Sequence, residues 1–415
     1  MRILMLSQFY PPIIGGEERH VRNLGTLLAA RGHKVAVATI WHKGLPEFED
    51  DQGVRVYRIH GTAQRMAGLF SDAGHMHAPP FPDPELTWTI KSIIRRERPE
   101  IVHAHNWLVH SFLPLKGWSG AKLVLSLHDH SLLCPNKKLI YHDRPCSGPG
   151  LAKCLGCVAT HYGRLKGAGV MFANRAMTIA ERATVDMFVP VSRAVAQDNR
   201  LLGGKLPVEV IPNFVPDDVG ALQDEPHPNL AQLPAGDFML FVGAFGRYKG
   251  LDVLVRAYAE LHAAPPLVII GYQTTEYPVQ TVELPANVIV LQDWPHEAVM
   301  QAWQRSILGL VPSVWSDPCP TVAMEAMAVG RPLIASRVGG LTDLVVDGET
   351  GLLVPPDDHV ALRQAMERLL ADPALRGRMG EASQRKVVDF QASAVVQRIE
   401  QVYYRLLRFG DKGKS

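Results

Sequence analysis

Two carboxylates eight residues apart are the most chemically pointed feature of this chain. In PSVWSDPCPTVAMEAMAVGRPLIAS, Asp317 lies in the loop after an apolar strand pattern. Glu325 falls a turn or two into the next helix, whose apolar face comes from Met324, Met327 and Ala328. A carboxylate accepts two hydroxyl protons, so one acid at a loop mouth and one on a helix suit a polyol. Taken singly, either acid also fits a helix cap or an ordinary surface position. Earlier, FVGAFGRYKGLDVL runs from a strand through a Gly-rich turn into a helix near Leu251, with Arg247 and Lys249 at the turn. Cations beside a helix N-terminus are what a departing diphosphate requires, although on a surface turn such a pair is simply solvated. Gly15 and Gly16 sit between the first strand and first helix. Backbone N–H groups there can approach a phosphate closely, and a tight βα turn is the plainer alternative.

Four of the five cysteines, Cys134, Cys146, Cys154 and Cys157, fall in a Pro/Gly-rich stretch with spacing C-x11-C-x7-C-x2-C. A closing C-x2-C in a loop-rich insert predicts tetrahedral thiolate coordination of a structural zinc ion. Unliganded thiols and a redox or iron–sulfur role are the alternatives. Cys319 stands alone and reads as a packed thiol. Just before the insert, His128 and Asp129 end a strand, where such a pair can orient or deprotonate a hydroxyl. His103, His110 and His130 read instead as histidines satisfied in the core or cleft wall.

These groups need elements to hold them. Apolar strand patterns at 2–7, 34–40, 54–59, 101–104, 122–127 and 187–191 alternate with helical stretches. The first helix, 17–31, carries Val21, Leu24, Leu27 and Leu28 on one stripe and stops at Gly32. The grammar repeats at 238–242, 267–270, 288–291, 307–311, 333–335 and 352–354. Buried parallel strands alternating with helices predict an α/β fold of two Rossmann-like domains facing across a cleft, where ligand sites form. The expected division is a first domain at 1–215 carrying the 134–157 insert, a linker at 216–237, a second domain at 238–390, and a helix at 391–415 returning to the first domain. The polar stretch 60–83 reads as a loop near the cleft.

Composition narrows the classes. With 415 residues, 47% apolar and 20% charged, the chain is globular rather than disordered or fibrous. No run of about 18 apolar residues occurs, which predicts a soluble, cytoplasmic protein. Up to Glu209 there are 26 Lys+Arg against 17 Asp+Glu, and afterwards 17 against 24. A basic first half could rest against an anionic membrane face or acidic acceptor, but no nucleic-acid motif accompanies it.

The pieces PPIIGGEERHVRNL, IVHAHNW, VEVIPNFV, FVGAFGRYKGLDVL, PSVWSDPCPTVAMEAMAVGRPLIAS and VGGLTDLVVDGETGLLVPPDD, in this order from 11 to 358, resemble the retaining glycosyltransferases of family 4, which have the two-domain GT-B architecture. That resemblance implies transfer of a hexose-type sugar, with retention, from a nucleotide-diphosphate sugar such as a UDP- or GDP-sugar to a glycan or lipid-linked acceptor. It implies that the Gly16 N–H meets the donor diphosphate, His105 bonds the donor sugar near its 6-hydroxyl, and Lys249 neutralises the leaving group. Glu325 then holds the ribose and Asp317 the sugar, while the amides of Cys319, Thr321 and Val322 orient sugar hydroxyls. No metal is implied for catalysis. Two positions depart from the pattern: Asp317 replaces the usual Glu, and Ala244 replaces an Arg, for which Arg247 is the available substitute. A GT-B enzyme of another reaction, such as an epimerase, and a zinc-bearing binding protein that has lost catalysis are the competing readings.

Overall fold

The computed structural model describes residues 1–13, 16–62, 78–142, 144–221, 225–273 and 284–410, with backbone alone at 409–410. Its first sheet contains β1 (Arg2–Leu6), β2 (Lys34–Ile40), β3 (Phe48–Asp51), β4 (Val54–Ile59), β5 (Ile101–Ala104) and β6 (Lys122–Leu127), with β9 (Met187–Pro190) at one edge. The order is β3-β4-β2-β1-β5-β6-β9, and every pairing is parallel except β3 with β4. Continuous apolar runs such as RILML and KVAVATI form these strands because parallel strands are covered on both faces. A two-residue pair, β7 (Ile140–Tyr141) with β8 (Arg144–Pro145), belongs to the cysteine-bearing insert.

The second sheet holds β10 (Met239–Val242), β11 (Leu267–Gly271), β12 (Val288–Gln292), β13 (Leu308–Val311), β14 (Leu333–Ser336) and β15 (Gly351–Val354). Its order, β12-β11-β10-β13-β14-β15, is all parallel. In both sheets the loops that bear the candidate residues leave the C-terminal strand ends, where open α/β sheets bind ligands. The two sets of loops meet. His130 Nε2 bonds the Ser316 carbonyl at 2.9 Å, Ser316 Oγ reaches Asp198 at 2.7 Å, and the Arg193 amide bonds Asp343 at 2.7 Å.

The Ala392–Gly410 helix returns to the first sheet, burying Val395, Val396, Ile399, Val402 and Tyr403 there. Each such side chain contributes roughly 1.5–3 kcal/mol of apolar burial. Tyr403 fixes the register through a 2.6 Å bond to His103 Nδ1, inside the core.

Two of the expected irregular segments are anchored where they are described. The segment 216–237 is no free tether: Leu233 is buried, and the described part is strapped to the His296–Arg305 helix. Gln301 Nε2 donates to the Glu225 carbonyl, and Arg305 donates to that of Pro234. Of the expected loop at 60–83, residues 63–77 lie outside the described residues. Its end is built in, since Ala78 is buried and Asp83 caps the Pro84–Glu97 helix by accepting from the Glu85 and Leu86 amides.

Candidate active site

The second domain builds one wall. After β10 the chain turns through Gly250, whose φ of 77° and closeness to the Pro312 carbonyl (1.8 Å from where a Cβ would stand) admit only glycine. This turn directs Lys249 toward the loop after β13, where Nζ lies 2.6 Å from Asp317 Oδ2. Ser313 Oγ bonds the same carboxylate oxygen at 3.3 Å. The Asp317 side chain is 5% exposed and that of Lys249 22%, so neither acid nor cation is an ordinary surface group. Gly339 and Gly340 let the VGG turn pack on the Asp317 backbone, with the Gly340 amide bonding the Asp317 carbonyl at 2.7 Å. Glu325, buried on the Thr321–Ala328 helix, accepts from His296 Nε2 at 2.9 Å. Thr321 and Val322 open that helix behind Pro320 without a side-chain cap, and Cys319 is buried just before it.

The first domain builds the facing wall from neutral imidazoles. His105 follows β5, His128 follows β6, and His20 lies one turn into the Gly16–Ala30 helix. His105 Nδ1 and His128 Nε2 are 3.0 Å apart, and His128 Nδ1 meets Asn213 Oδ1 at 3.1 Å. Asn213 in turn donates to the Cys319 carbonyl across the cleft at 3.3 Å. Burial holds His20 and His105 well below the usual imidazole range and His128 at about 4, so at neutral pH all three offer hydrogen bonds rather than charge. His20 Nδ1 and His105 Nε2 are buried without a hydrogen-bond partner, which leaves two polar atoms for a bound group to satisfy. Gly16 opens its helix exposed, with nothing within 4 Å of a Cβ placed there, while Gly15 lies outside the described residues. Beside it, Asn106 Nδ2 donates to Glu17. Burial, then the charges of Glu18 and Asp129, push the Glu17 carboxyl up to about 8.

Other candidates stand apart from this centre. Asp129 does not join His128 but accepts from the Ser131 amide at 2.8 Å, closing a turn. Arg247 is 63% exposed and lies 3.6 Å from Asp252, so it does not share the position of Lys249. It lines a 410 Å³ pocket between the insert and the second domain, together with Lys138, Tyr141, Arg144, Tyr248 and Trp315. The four insert cysteines are half-buried, unbridged, and line one small cavity. Sequence reasoning missed His20, Glu17 with Asn106, Asn213, His296 and the Tyr248–Trp315 wall. His20 carried a signal, standing four residues after Gly16 and so one turn along the same helix face.

The sequence and fold both have known counterparts. A family model described as Glycosyltransferase Family 4 matches residues 14–219, and one described as Glycosyl transferases group 1 matches residues 226–386. D-inositol 3-phosphate glycosyltransferase of Arthrobacter sp. (strain FB24) is 31% identical over 89% of this chain and 85% of its own length. Glycogen synthase of Mycobacterium tuberculosis is 27% identical over 97% and 94%. Sucrose-phosphate synthase from Thermosynechococcus elongatus superposes with a TM-score of 0.74 at 24% identity, covering 98% of this chain and 99% of that one. Anabaena HepE, solved in complex with UDP, gives 0.69 at 16% identity over 98% and 100%. The six collinear motifs, two sheets meeting at their C-terminal edges and these matches together make the chain a glycosyltransferase of the GT-B fold, belonging to Glycosyltransferase Family 4 in its first half and to Glycosyl transferases group 1 in its second.

Proposed function

We propose that this enzyme moves a hexose-type sugar from a nucleoside-diphosphate sugar to a glycan or lipid-linked acceptor, with retention at the anomeric carbon and without a catalytic metal. The observation that carries this reading is the Lys249–Asp317 pair at 2.6 Å, with buried Glu325 on the helix that follows Asp317 and the exposed Gly16 helix terminus on the other domain. Donor phosphates would take the Gly16 amide and draw Lys249 from Asp317, freeing that carboxylate for sugar hydroxyls. Glu325 would accept from the ribose. The neutral His105 would bond the sugar without adding charge near the anomeric carbon. Relatives of known structure were solved with UDP, UDP-glucose and ADP, which supports a diphosphate donor.

The acceptor would enter from the 410 Å³ pocket, where Tyr141, Tyr248 and Trp315 offer stacking faces and Lys138 and Arg144 offer cations to an anionic group. Its hydroxyl would attack the face that the diphosphate leaves, through an oxocarbenium-like state, and a departing phosphate oxygen would take its proton. The protein's share is positioning and electrostatic stabilisation. Ala244, 5% exposed, fills the place of the family's Arg, so Lys249 bears the larger part of the charge stabilisation. A role in envelope polysaccharide or glycolipid synthesis at the inner membrane face fits the basic first half, and no helix among the described residues is long and apolar enough to cross a membrane. Sedimentation with anionic vesicles at low salt tests that contact. Incubating EDTA-treated enzyme with UDP-, GDP- and ADP-sugars and following the anomeric proton by NMR tests the reaction. Retained configuration in the released or transferred sugar is expected. Inversion, or dependence on added divalent metal, would refute it.

A further inference from the structure

The four insert cysteines sit where chain geometry, rather than apolar burial, must hold a lobe together. Between β6 and the Arg164–Thr184 helix, the lobe's regular structure is the two-residue β7–β8 pair and the Leu151–Tyr162 helix, in which Val158 is the buried residue. Segments this small lack the apolar core to order themselves and are commonly stapled by disulfides or metals. No disulfide is present among these cysteines. Instead Cys134, Cys146, Cys154 and Cys157 all line one cavity of about 20 Å³, enough for one water-sized body. They arrive from three separate backbone positions, each pinned. The Cys134 amide bonds the His130 carbonyl at 2.9 Å, that of Cys146 bonds Leu139 at 2.7 Å, and that of Cys154 bonds Gly150 at 2.7 Å. The Asn136 side chain bridges two of them, accepting from Cys134 Sγ at 2.7 Å and donating to Cys157 Sγ at 3.2 Å.

We propose that these four thiolates bind a single structural Zn²⁺. Zinc takes four sulfurs tetrahedrally at about 2.3 Å. No three of these sulfurs stand within 4.8 Å of one another here, so binding must draw them together and swing out the Asn136 amide that lies between Cys134 and Cys157. The four thiols give their protons to solvent, and Lys153, which lines the cavity, offsets part of the resulting negative charge. A space of this size suits one ion rather than an iron–sulfur cluster. Asn136, Tyr141 and Cys157 line both this cavity and the 410 Å³ pocket, so the ion would set one wall of that pocket.

The test is metal analysis of tag-free, chelator-washed protein by mass spectrometry. About one zinc per chain is expected, retained in Cys319→Ser and lost in Cys154→Ser/Cys157→Ser. Titrating the wild-type protein with a mercurial should release that zinc as about four thiols react, which decides the matter even where the double variant does not fold. Metal-free protein with four reactive thiols would overturn the proposal. So would disulfides detected by mass, iron with visible absorption, or zinc surviving in the folded double variant.

Discussion

Replacing Lys249 by alanine separates the structural and chemical duties of the central ion pair. At 2.6 Å the pair's gross attraction is about 6 kcal/mol for an effective dielectric of about 20. Desolvation of both groups offsets most of that, so the net worth of the pair is small. Removing one partner is different, because Asp317, 5% exposed, then keeps Ser313 as its side-chain hydrogen-bond partner among the described residues and loses its counter-charge. Stranding a buried charge costs about 3–5 kcal/mol, and because Lys249 is 22% exposed and water can follow it in, about 2–3 kcal/mol is expected here. For a domain of this size that lowers Tm by roughly 5–10 °C. In Lys249→Ala/Asp317→Ala no charge is stranded, and most of the loss should return. Donor affinity should not return, because a charge-assisted bond to phosphate contributes about 1.5–3 kcal/mol, or roughly 10- to 150-fold in Kd. Differential scanning fluorimetry and isothermal titration with nucleoside diphosphate on all three proteins read both quantities. A single variant melting within about 1 °C of wild type, or a double variant that regains donor affinity, would refute the reasoning.

Gly250→Ala should cost more than Lys249→Ala, because positive φ and the Pro312 carbonyl both oppose a Cβ. Circular dichroism melting should show this, with Gly236→Ala, which meets nothing within 4 Å, changing stability by less than about 0.5 kcal/mol. Glu17 is held protonated up to about 8, so its favourable neutral form is fully present below the ordinary carboxylate range and lost as pH rises through 8. Wild-type stability should therefore fall from about pH 4.5 to about pH 8 and level off above, and donor affinity should fall as pH rises through 8, each relative to Glu17→Gln. Parallel pH profiles for the two proteins would disprove this role. Trp315→Ala, by removing a pocket face that packs edge-on to Tyr248 at 5.6 Å, should raise acceptor KM about tenfold while changing donor Kd less than about twofold. Equal loss of both would place Trp315 in general folding instead.

Much of this arrangement was legible in the sequence because buried parallel strands leave unbroken apolar runs. RILML, KVAVATI and KLVLSL each read as strands and are strands. The antiparallel edge strand β3, FEDD, gave no such signal, since one face meets solvent and Phe48 is half exposed. Pairs as short as β7–β8 have no period to detect. Asp317, Glu325 and Lys249 stood out through their turns and spacing, but the bond between Lys249 and Asp317 joins residues 68 apart and exists only once β10 and β13 lie side by side. His20 was hidden for a related reason. On a helix face it looks like any core histidine until β5 and β6 bring His105 and His128 against it. The strapping of 216–237 by Gln301 and Arg305 was likewise invisible, because polar side chains bonding to backbone carbonyls leave no apolar periodicity.

The most direct test of the donor site is the melting temperature of metal-free enzyme against UDP, GDP, ADP and dTDP, with NAD as a further ligand. Ligand at a hundredfold excess over Kd adds about 2.7 kcal/mol to the native state. A clear rise is expected with at least one nucleoside diphosphate, cut in Lys249→Ala at the same ligand concentration to about 0.3–1.4 kcal/mol by the roughly 10- to 150-fold loss of affinity. No rise with any of them, or the same rise in the variant, would contradict a donor site built on Lys249, Asp317 and Glu325.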